Sequence, residues 1–218
     1  MKSLVIFDLD GTLLDTIADL GEAANYALSR LGYPVHAPEA YPGMVGNGID
    51  KLLERALPLG EGSAENVLRL RRFFIPYYDV HNADHSRPYP GIPQLLADLQ
   101  AAGLQLAVAS NKYQAAVRSL IGRFFPALHF TAVFGQREGV PKKPDPQVVF
   151  DILQSAGLAA GEALYVGDSG VDLRTASAAE VEACAVTWGF RPRAELESFH
   201  PAHIVDKAEE IYAIALSN

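Results

Sequence analysis

Two carboxylates directly follow a short apolar run near the start of the chain. Residues 4–7 are all large and apolar, which is typical of a strand buried on both faces, and Asp8, Asp10 and Gly11 come next. Because residues two apart share a face of a strand, Asp8 and Asp10 are predicted to project together, and Gly11 permits a sharp turn. Open parallel sheets bind ligands at this end of their strands. Two neighbouring carboxylates repel each other, and oxygen ligands without His or Cys favour Mg²⁺, so we expect a magnesium site.

Further polar side chains follow other predicted strands or precede predicted helices. They are Ser110 and Asn111 after strand 104–109, Lys143 before Pro144, and Asp168 and Asp172 after strand 163–167. A hydroxyl at a strand end can hydrogen-bond a phosphate, and a lysine can neutralise a transferring phosphoryl group. Simpler roles stay open at this point: Ser110 can cap a helix, Lys142 and Lys143 can form an exposed basic pair, and the two later carboxylates can cap a helix start.

Residues 16 to about 82 carry apolar side chains at helical spacing and show no strand pattern. The block therefore predicts an all-helical insertion. Its third helix begins at Ser63, and Pro76 is expected to kink or end that helix. The predicted helices cover residues 16–31, residues 49–57 and the segment from residue 63 onward.

After the linker at residues 87–91, helices and strands alternate along the chain. Strand 104–109, for example, is followed by a helix predicted at residues 112–121. This alternation is typical of a parallel sheet covered by helices on both faces. The predicted fold is α/β: a parallel-sheet, Rossmann-like core of residues 1–15 and 87–218 with an inserted all-helical cap domain, residues 16–86.

Composition narrows the classes of function. The chain has 218 residues, a formal net charge of −8 and one cysteine, so we expect neither a nucleic-acid partner nor an internal disulfide. The opening apolar run is broken by Asp8 and Asp10, and no stretch approaches the ~18 apolar residues of a membrane span. The sequence predicts a cytoplasmic protein without membrane contacts, either a monomer or a homodimer.

The string Asp8-Leu9-Asp10-Gly11-Thr12-Leu13-Leu14-Asp15-Thr16 resembles the first motif of the haloacid dehalogenase superfamily of phosphotransferases. Three later places match its other motifs in order: Ser110, the lysine in Lys143-Pro144, and Gly167-Asp168-Ser169-Gly170-Val171-Asp172. The resemblance covers essentially the whole chain. In the family fold the first strand is central, and the strands before Ser110 and Asp168 flank it.

The resemblance implies a Mg²⁺-dependent phosphatase with an aspartyl-phosphate intermediate. Asp8 would be the nucleophile, and Asp10 would protonate the leaving oxygen and later deprotonate water. Lys143 would neutralise charge at the reacting centre. The implied metal ligands are the Asp8 carboxylate, the Asp10 backbone carbonyl and Asp168, with support from Asp172. The implied phosphoryl-binding groups are Ser110, Lys143 and backbone N–H groups near Leu9 and Asn111.

The segment Gly46-Asn47-Gly48 resembles the cap of phosphoglycolate phosphatases. That likeness implies a small phosphorylated metabolite as substrate, with 2-phosphoglycolate favoured. Glycines would let the backbone approach the substrate, and Asn47 could donate to a carboxylate. Other small phosphomonoesters, pyrophosphate, a phosphosugar mutase reaction and a catalytically silent binding protein on the same fold remain as alternatives.

Overall fold

The computed structural model describes residues 1–217, so Asn218, the last residue of the predicted core, lies outside the described residues. Two short 3₁₀ helices cover Pro38–Gly43 and Ala160–Glu162. The remaining elements, in chain order, are β1 (Leu4–Phe7), β2 (Leu14–Asp15), α1 (Ile17–Arg30), α2 (Ile49–Ala56), α3 (Ala64–His81), β3 (Arg87–Pro88), α4 (Ile92–Ala101), β4 (Gln105–Tyr113), α5 (Gln114–Phe124), β5 (Ala132–Gln136), α6 (Gln147–Ala156), β6 (Ala163–Gly167), α7 (Gly170–Ala178), β7 (Glu182–Val186), α8 (Arg193–Glu197), β8 (His203–Val205) and α9 (Ala208–Leu216).

Six parallel strands form the central sheet in the order β5-β4-β1-β6-β7-β8. All four residues of β1 are completely buried, because β4 and β6 pair with its two edges and helices cover both faces. The predicted α/β class is therefore confirmed, as is the central position of the first strand. Since the strands are parallel, the carboxyl ends of β1, β4 and β6 meet at one edge of the sheet.

The end of β4 differs from the prediction. The strand does not stop at Ala109 but continues to Tyr113, and α5 begins at Gln114 rather than at Lys112. An irregularity between Ala109 and Tyr113 lets the strand resume pairing with β5, where Tyr113 faces Gln136. Ser110 therefore lies in extended chain and does not cap α5, so its hydroxyl remains at the sheet edge.

A helical insertion, consisting of α1, α2, α3 and the loops between them, packs around its own apolar core. Leu28, Leu53 and Leu70 are completely buried there. The helix does not end at Pro76, since α3 continues past it to His81, and the kink stays a prediction. Phe74 and Tyr78, one turn apart on either side of Pro76, are both buried in this cluster, and their packing holds the helix together across the proline.

The helical insertion is connected to the sheet domain by a two-stranded ribbon. β2 and β3 pair antiparallel where the chain leaves and re-enters the sheet domain. The buried carboxylate of Asp19 in α1 accepts hydrogen bonds from the backbone of His85 and Ser86 and from the Ser86 hydroxyl, at 2.6–2.9 Å. These bonds fix the start of α1 to the return segment.

Candidate active site

The loop after β1 places Asp8 and Asp10 at the carboxyl end of the central strand. The backbone N–H of Leu9 donates to Asp8 Oδ1 at 2.7 Å, which orients that carboxylate. Gly11 adopts a φ of +85°, and a Cβ atom there would lie only 2.3 Å from Asp168 Oδ2. Glycine is thus required both by the turn and by the close approach of Asp168 from the end of β6.

Lys143 lies between two of the carboxylates. Its Nζ is 3.0 Å from Asp8 Oδ1 and 2.7 Å from Asp172 Oδ1, and it also donates to the backbone oxygen of Ala109 at 2.8 Å. Burial by itself would lower the pKa of this lysine, but Asp172 and Asp8 together raise it well above its ordinary value. The ammonium therefore stays charged. Lys142, by contrast, has a side chain that is 37% exposed.

Asp8, Asp168 and Asp172 form a compact acidic cluster, in which one carboxylate oxygen of each residue lies within 4.8 Å of the other two. Burial and then the neighbouring Asp172 raise the pKa of Asp168 to about 7. Burial, again followed by Asp172, raises the pKa of Asp8 well above its usual range. Within residues 1–217, Lys143 is the cation in salt-bridge contact with this cluster, and one positive charge leaves it under-neutralised. Such an oxygen-only donor set fits a hard divalent cation.

Asp10 is held by two groups whose roles the sequence analysis did not assign. The Thr16 hydroxyl donates to Asp10 Oδ1 at 2.6 Å, and Lys112 Nζ lies 2.9 and 3.1 Å from the two carboxylate oxygens. Lys112 directly follows Ser110 and Asn111 in the sequence. This position beside two predicted site residues is the sequence feature that could have indicated a role for Lys112 in the site. The prediction of a helix from Lys112 assigned this residue to the helix and gave it no place at the sheet edge.

Asn111 connects the site to the helical insertion. Its Oδ1 accepts from the backbone N–H of Lys143 at 2.9 Å, while its Nδ2 donates to the backbone oxygens of Lys143 at 3.1 Å and Gly46 at 3.2 Å. The side chain of Asn111 therefore fixes the Lys143 backbone and contacts the Gly46–Gly48 loop. Ser110 Oγ accepts from the backbone N–H of Lys112 at 3.2 Å, and its hydroxyl proton remains available for another acceptor.

A cavity lies between the helical insertion and the sheet edge, with about 50 Å³ of room for water. Asp8, Asp10 and Ser110 form its floor, and Gly46 and Gly48 line its other side. Its walls are mainly apolar and include side chains that the sequence analysis missed: Leu20, Val45, Ile49, Leu52, Phe74, Tyr78, Tyr113 and Phe190.

Asn47, the polar residue that the sequence placed in the cap site, is not among the cavity-lining residues. Its Oδ1 accepts from Arg55 Nη2 at 2.8 Å instead. Arg191, which follows β7, does line the cavity, and its guanidinium donates to the backbone oxygens of Pro42 and Val45. No local sequence pattern marks this arginine, since its partners lie about 150 residues earlier in the chain.

Comparisons with known proteins show what the whole chain is similar to. Residues 5–186 match the family described as haloacid dehalogenase-like hydrolase. Phosphoglycolate phosphatases from Mesorhizobium japonicum and Yersinia pseudotuberculosis are 34% and 35% identical, covering 94% and 93% of this chain and 90% of each relative. A crystal structure from Lactobacillus delbrueckii subsp. bulgaricus superposes with a TM-score of 0.93 at 32% identity over the whole of both chains. Among residues 1–217, no helix combines the length and hydropathy needed to cross a bilayer.

Proposed function

This chain belongs to the haloacid dehalogenase-like hydrolases, and we propose that within this family it is a Mg²⁺-dependent phosphatase that acts through an aspartyl-phosphate on Asp8. The observation that carries the proposal is the arrangement around Asp8. Its carboxylate ends the central strand, is oriented by the Leu9 N–H, and faces a charged lysine on one side and the open cavity on the other. A carboxylate so placed can serve as a nucleophile.

Asp8 and Asp10 divide the chemistry between them. An Asp8 oxygen forms a bond to phosphorus while the bond from phosphorus to the leaving oxygen breaks, and Asp10 donates its proton to that oxygen. Asp10 then takes a proton from water as the water oxygen attacks phosphorus, which releases phosphate and restores the Asp8 carboxylate. The bonds that Thr16 and Lys112 make to Asp10 hold its carboxylate at the sheet edge throughout.

The acidic cluster supports the metal assignment. Asp8, Asp168 and the backbone carbonyl of Asp10 would hold Mg²⁺, with Asp172 in support, and the bound ion would neutralise negative charge on the phosphoryl oxygens. Lys143, the Ser110 hydroxyl and the backbone N–H groups of Leu9 and Asn111 would hold those oxygens. The buried pairing of Lys143 with Asp172 supports this role, because it fixes the ammonium beside Asp8.

For the substrate we propose 2-phosphoglycolate, with the helical insertion, residues 16–86, acting as the cap domain and Gly46, Asn47 and Gly48 belonging to its substrate-facing loop. The names of the relatives support this choice, and so does the cavity. Two cations, Lys112 and Arg191, line this cavity, which suits a small substrate that carries a second anionic group. The expectations of a cytoplasmic monomer or homodimer stay predictions.

The test of the proposed function is hydrolysis of p-nitrophenyl phosphate by wild type and Asp8→Asn, each with Mg²⁺ and after chelation. Loss of the attacking charge should lower turnover at least about a thousandfold, and chelation should abolish wild-type activity. Asp15→Asn is the matched control, because Asp15 is an exposed carboxylate of the nearby β2, and among residues 1–217 its side chain accepts a hydrogen bond from the Ile17 N–H alone. Substantial turnover by pure Asp8→Asn would exclude Asp8 as the nucleophile. A panel of phosphorylated metabolites then tests the preference for 2-phosphoglycolate.

A further inference from the structure

Lys112 and Tyr78 meet across the cavity, next to Asp10. Lys112 belongs to β4 of the sheet domain, and Tyr78 belongs to α3 of the helical insertion. The Lys112 ammonium lies 4.7 Å from the centre of the Tyr78 ring, a favourable cation–π distance. Both residues are buried, and both line the cavity. The pair exists only while the helical insertion covers the sheet edge.

The Tyr78 hydroxyl is buried and, within residues 1–217, has no hydrogen-bond partner. Buried hydroxyl groups are normally paired, because leaving one without a partner costs free energy. Burial also raises the pKa of Tyr78 well above its ordinary value, so the hydroxyl keeps its proton and can donate. A donor of this kind beside a cavity indicates an acceptor on the molecule that fills the cavity.

Lys112 has unused capacity as well. An ammonium group carries three N–H donors, and the two oxygens that Lys112 contacts belong to one carboxylate, that of Asp10. Arg191, the other cation that lines the cavity, directs both terminal nitrogens to the backbone oxygens of Pro42 and Val45. Lys112 is therefore the cation best placed to accept an additional anion in the cavity.

The position of these donors relative to Asp10 limits where that anion can lie. If Asp10 protonates the leaving oxygen, that oxygen must sit within hydrogen-bond distance of its carboxylate. Lys112 Nζ lies within 3.1 Å of both Asp10 oxygens, so an atom one or two bonds beyond the leaving oxygen lies beside the ammonium. The nearby acidic cluster would repel an anionic leaving group that had no cation of its own.

We propose that Lys112 and Tyr78 determine specificity by binding a carboxylate carried by the leaving group, one carbon away from the ester oxygen. This inference rests on the proposed function, because it needs the leaving oxygen at Asp10. It moves the carboxylate-binding role from Asn47, which does not line the cavity, to a pair that spans the sheet domain and the helical insertion. A substrate carboxylate held by both residues would also link the helical insertion to the sheet domain.

Calorimetric titration of the Mg²⁺-loaded protein with two phosphonates tests the proposal without relying on turnover. The first, 3-phosphonopropionate, has a carboxylate at the required distance from phosphorus, and propylphosphonate replaces that carboxylate by a methyl group. We expect wild type to bind the first more tightly by roughly tenfold to a hundredfold, as hydrogen bonds to a charged group provide. Tyr78→Phe and Lys112→Met should each reduce the ratio of the two dissociation constants, propylphosphonate over 3-phosphonopropionate, by about tenfold.

Tyr77→Phe is the matched control, because Tyr77 is the adjacent tyrosine of α3 but stacks on Tyr26 outside the cavity. Its ratio of dissociation constants should equal that of wild type. Tyr78→Phe removes only an unpaired hydroxyl, so its melting temperature should be unchanged or higher. A clear decrease would reveal a structural partner for the hydroxyl and contradict the proposal.

Equal affinity of wild type for the two phosphonates, no binding of either, or a preference that survives in both variants would overturn the proposal. Hydrolysis of p-nitrophenyl phosphate by the same preparations distinguishes failure of this proposal from failure of the proposed phosphatase function. If wild type hydrolyses the ester but shows no preference for the carboxylate, the proposed phosphatase stands and the assignment of Lys112 and Tyr78 falls. If wild type does not hydrolyse the ester, the proposed function itself falls.

Discussion

Removing divalent metal should make the folding stability of this protein decrease as the pH rises towards 7. The cause is Asp168, which is 2% exposed and has a pKa raised from 3.8 to about 7 by burial and by Asp172. Between these two values the folded protein keeps the proton on Asp168, whereas the unfolded chain has released it. The unfolded state thus binds fewer protons, and raising the pH favours unfolding.

The size of the effect follows from the shift. One pKa unit corresponds to about 1.36 kcal/mol, so the rise of Asp168 from 3.8 to about 7 corresponds to roughly 4 kcal/mol lost by neutral pH. A typical domain is stable by only about 5–15 kcal/mol, so this loss is readily measured. Asp8 changes stability in the same direction, since burial and Asp172 raise its pKa as well.

Urea unfolding between about pH 5 and pH 7 covers roughly 2 kcal/mol of this loss, because the remainder occurs between pH 3.8 and pH 5; it is measured first in excess chelator and then in excess Mg²⁺. This range avoids Glu182, Asp151 and Asp206, whose pKa values are lowered and whose stabilisation is lost only at more acidic pH. In chelator, the unfolding free energy of wild type should decrease as the pH rises, and in Mg²⁺ it should depend less on pH. Asp168→Asn, which has nearly the same shape but no titration, should show a much weaker slope. Parallel slopes for wild type and Asp168→Asn would refute the reasoning.

Two further predictions concern Asp10 and the Gly46–Gly48 loop. Asp10→Asn should slow the hydrolysis of an alkyl phosphate by about 10²–10⁴-fold and that of a nitrophenyl phosphate by less, because the better leaving group needs less protonation. Equal losses in kcat for the two substrates would argue against an acid role for Asp10. Gly48→Ala should lower the melting temperature more than Gly60→Ala. Both positions have positive φ, but only at Gly48 would a Cβ atom meet the backbone oxygen of Asn111, at 3.1 Å. Equal decreases in melting temperature would show that this contact does not restrict the residue at position 48.

The sequence predicted the part of the fold that follows from local pattern. The short apolar strand at residues 4–7 and the alternation after residue 91 are period-based signals, and both lead to the observed sheet. Errors arose where tertiary contacts override local preference. Pairing with β5 extends β4 to Tyr113, and the packing of Phe74 and Tyr78 carries α3 past Pro76. Local propensity contains neither contact, so single-sequence reasoning could not anticipate them.

Tertiary contacts also explain why the sequence did not predict roles for the residues after β7. The backbone N–H of Phe190 donates to Asp168 Oδ2 at 2.7 Å, and the next residue, Arg191, binds backbone oxygens of the helical insertion. Two consecutive residues thus contact a carboxylate of the acidic cluster and the element that covers the cavity. Because Arg191 contacts the helical insertion through carbonyl oxygens, its partners Pro42 and Val45 leave no signature in residue type. The sheet-edge chemistry is visible in the sequence since it needs particular side chains, whereas Asn111 and Arg191 contact the helical insertion at backbone oxygens that any sequence supplies.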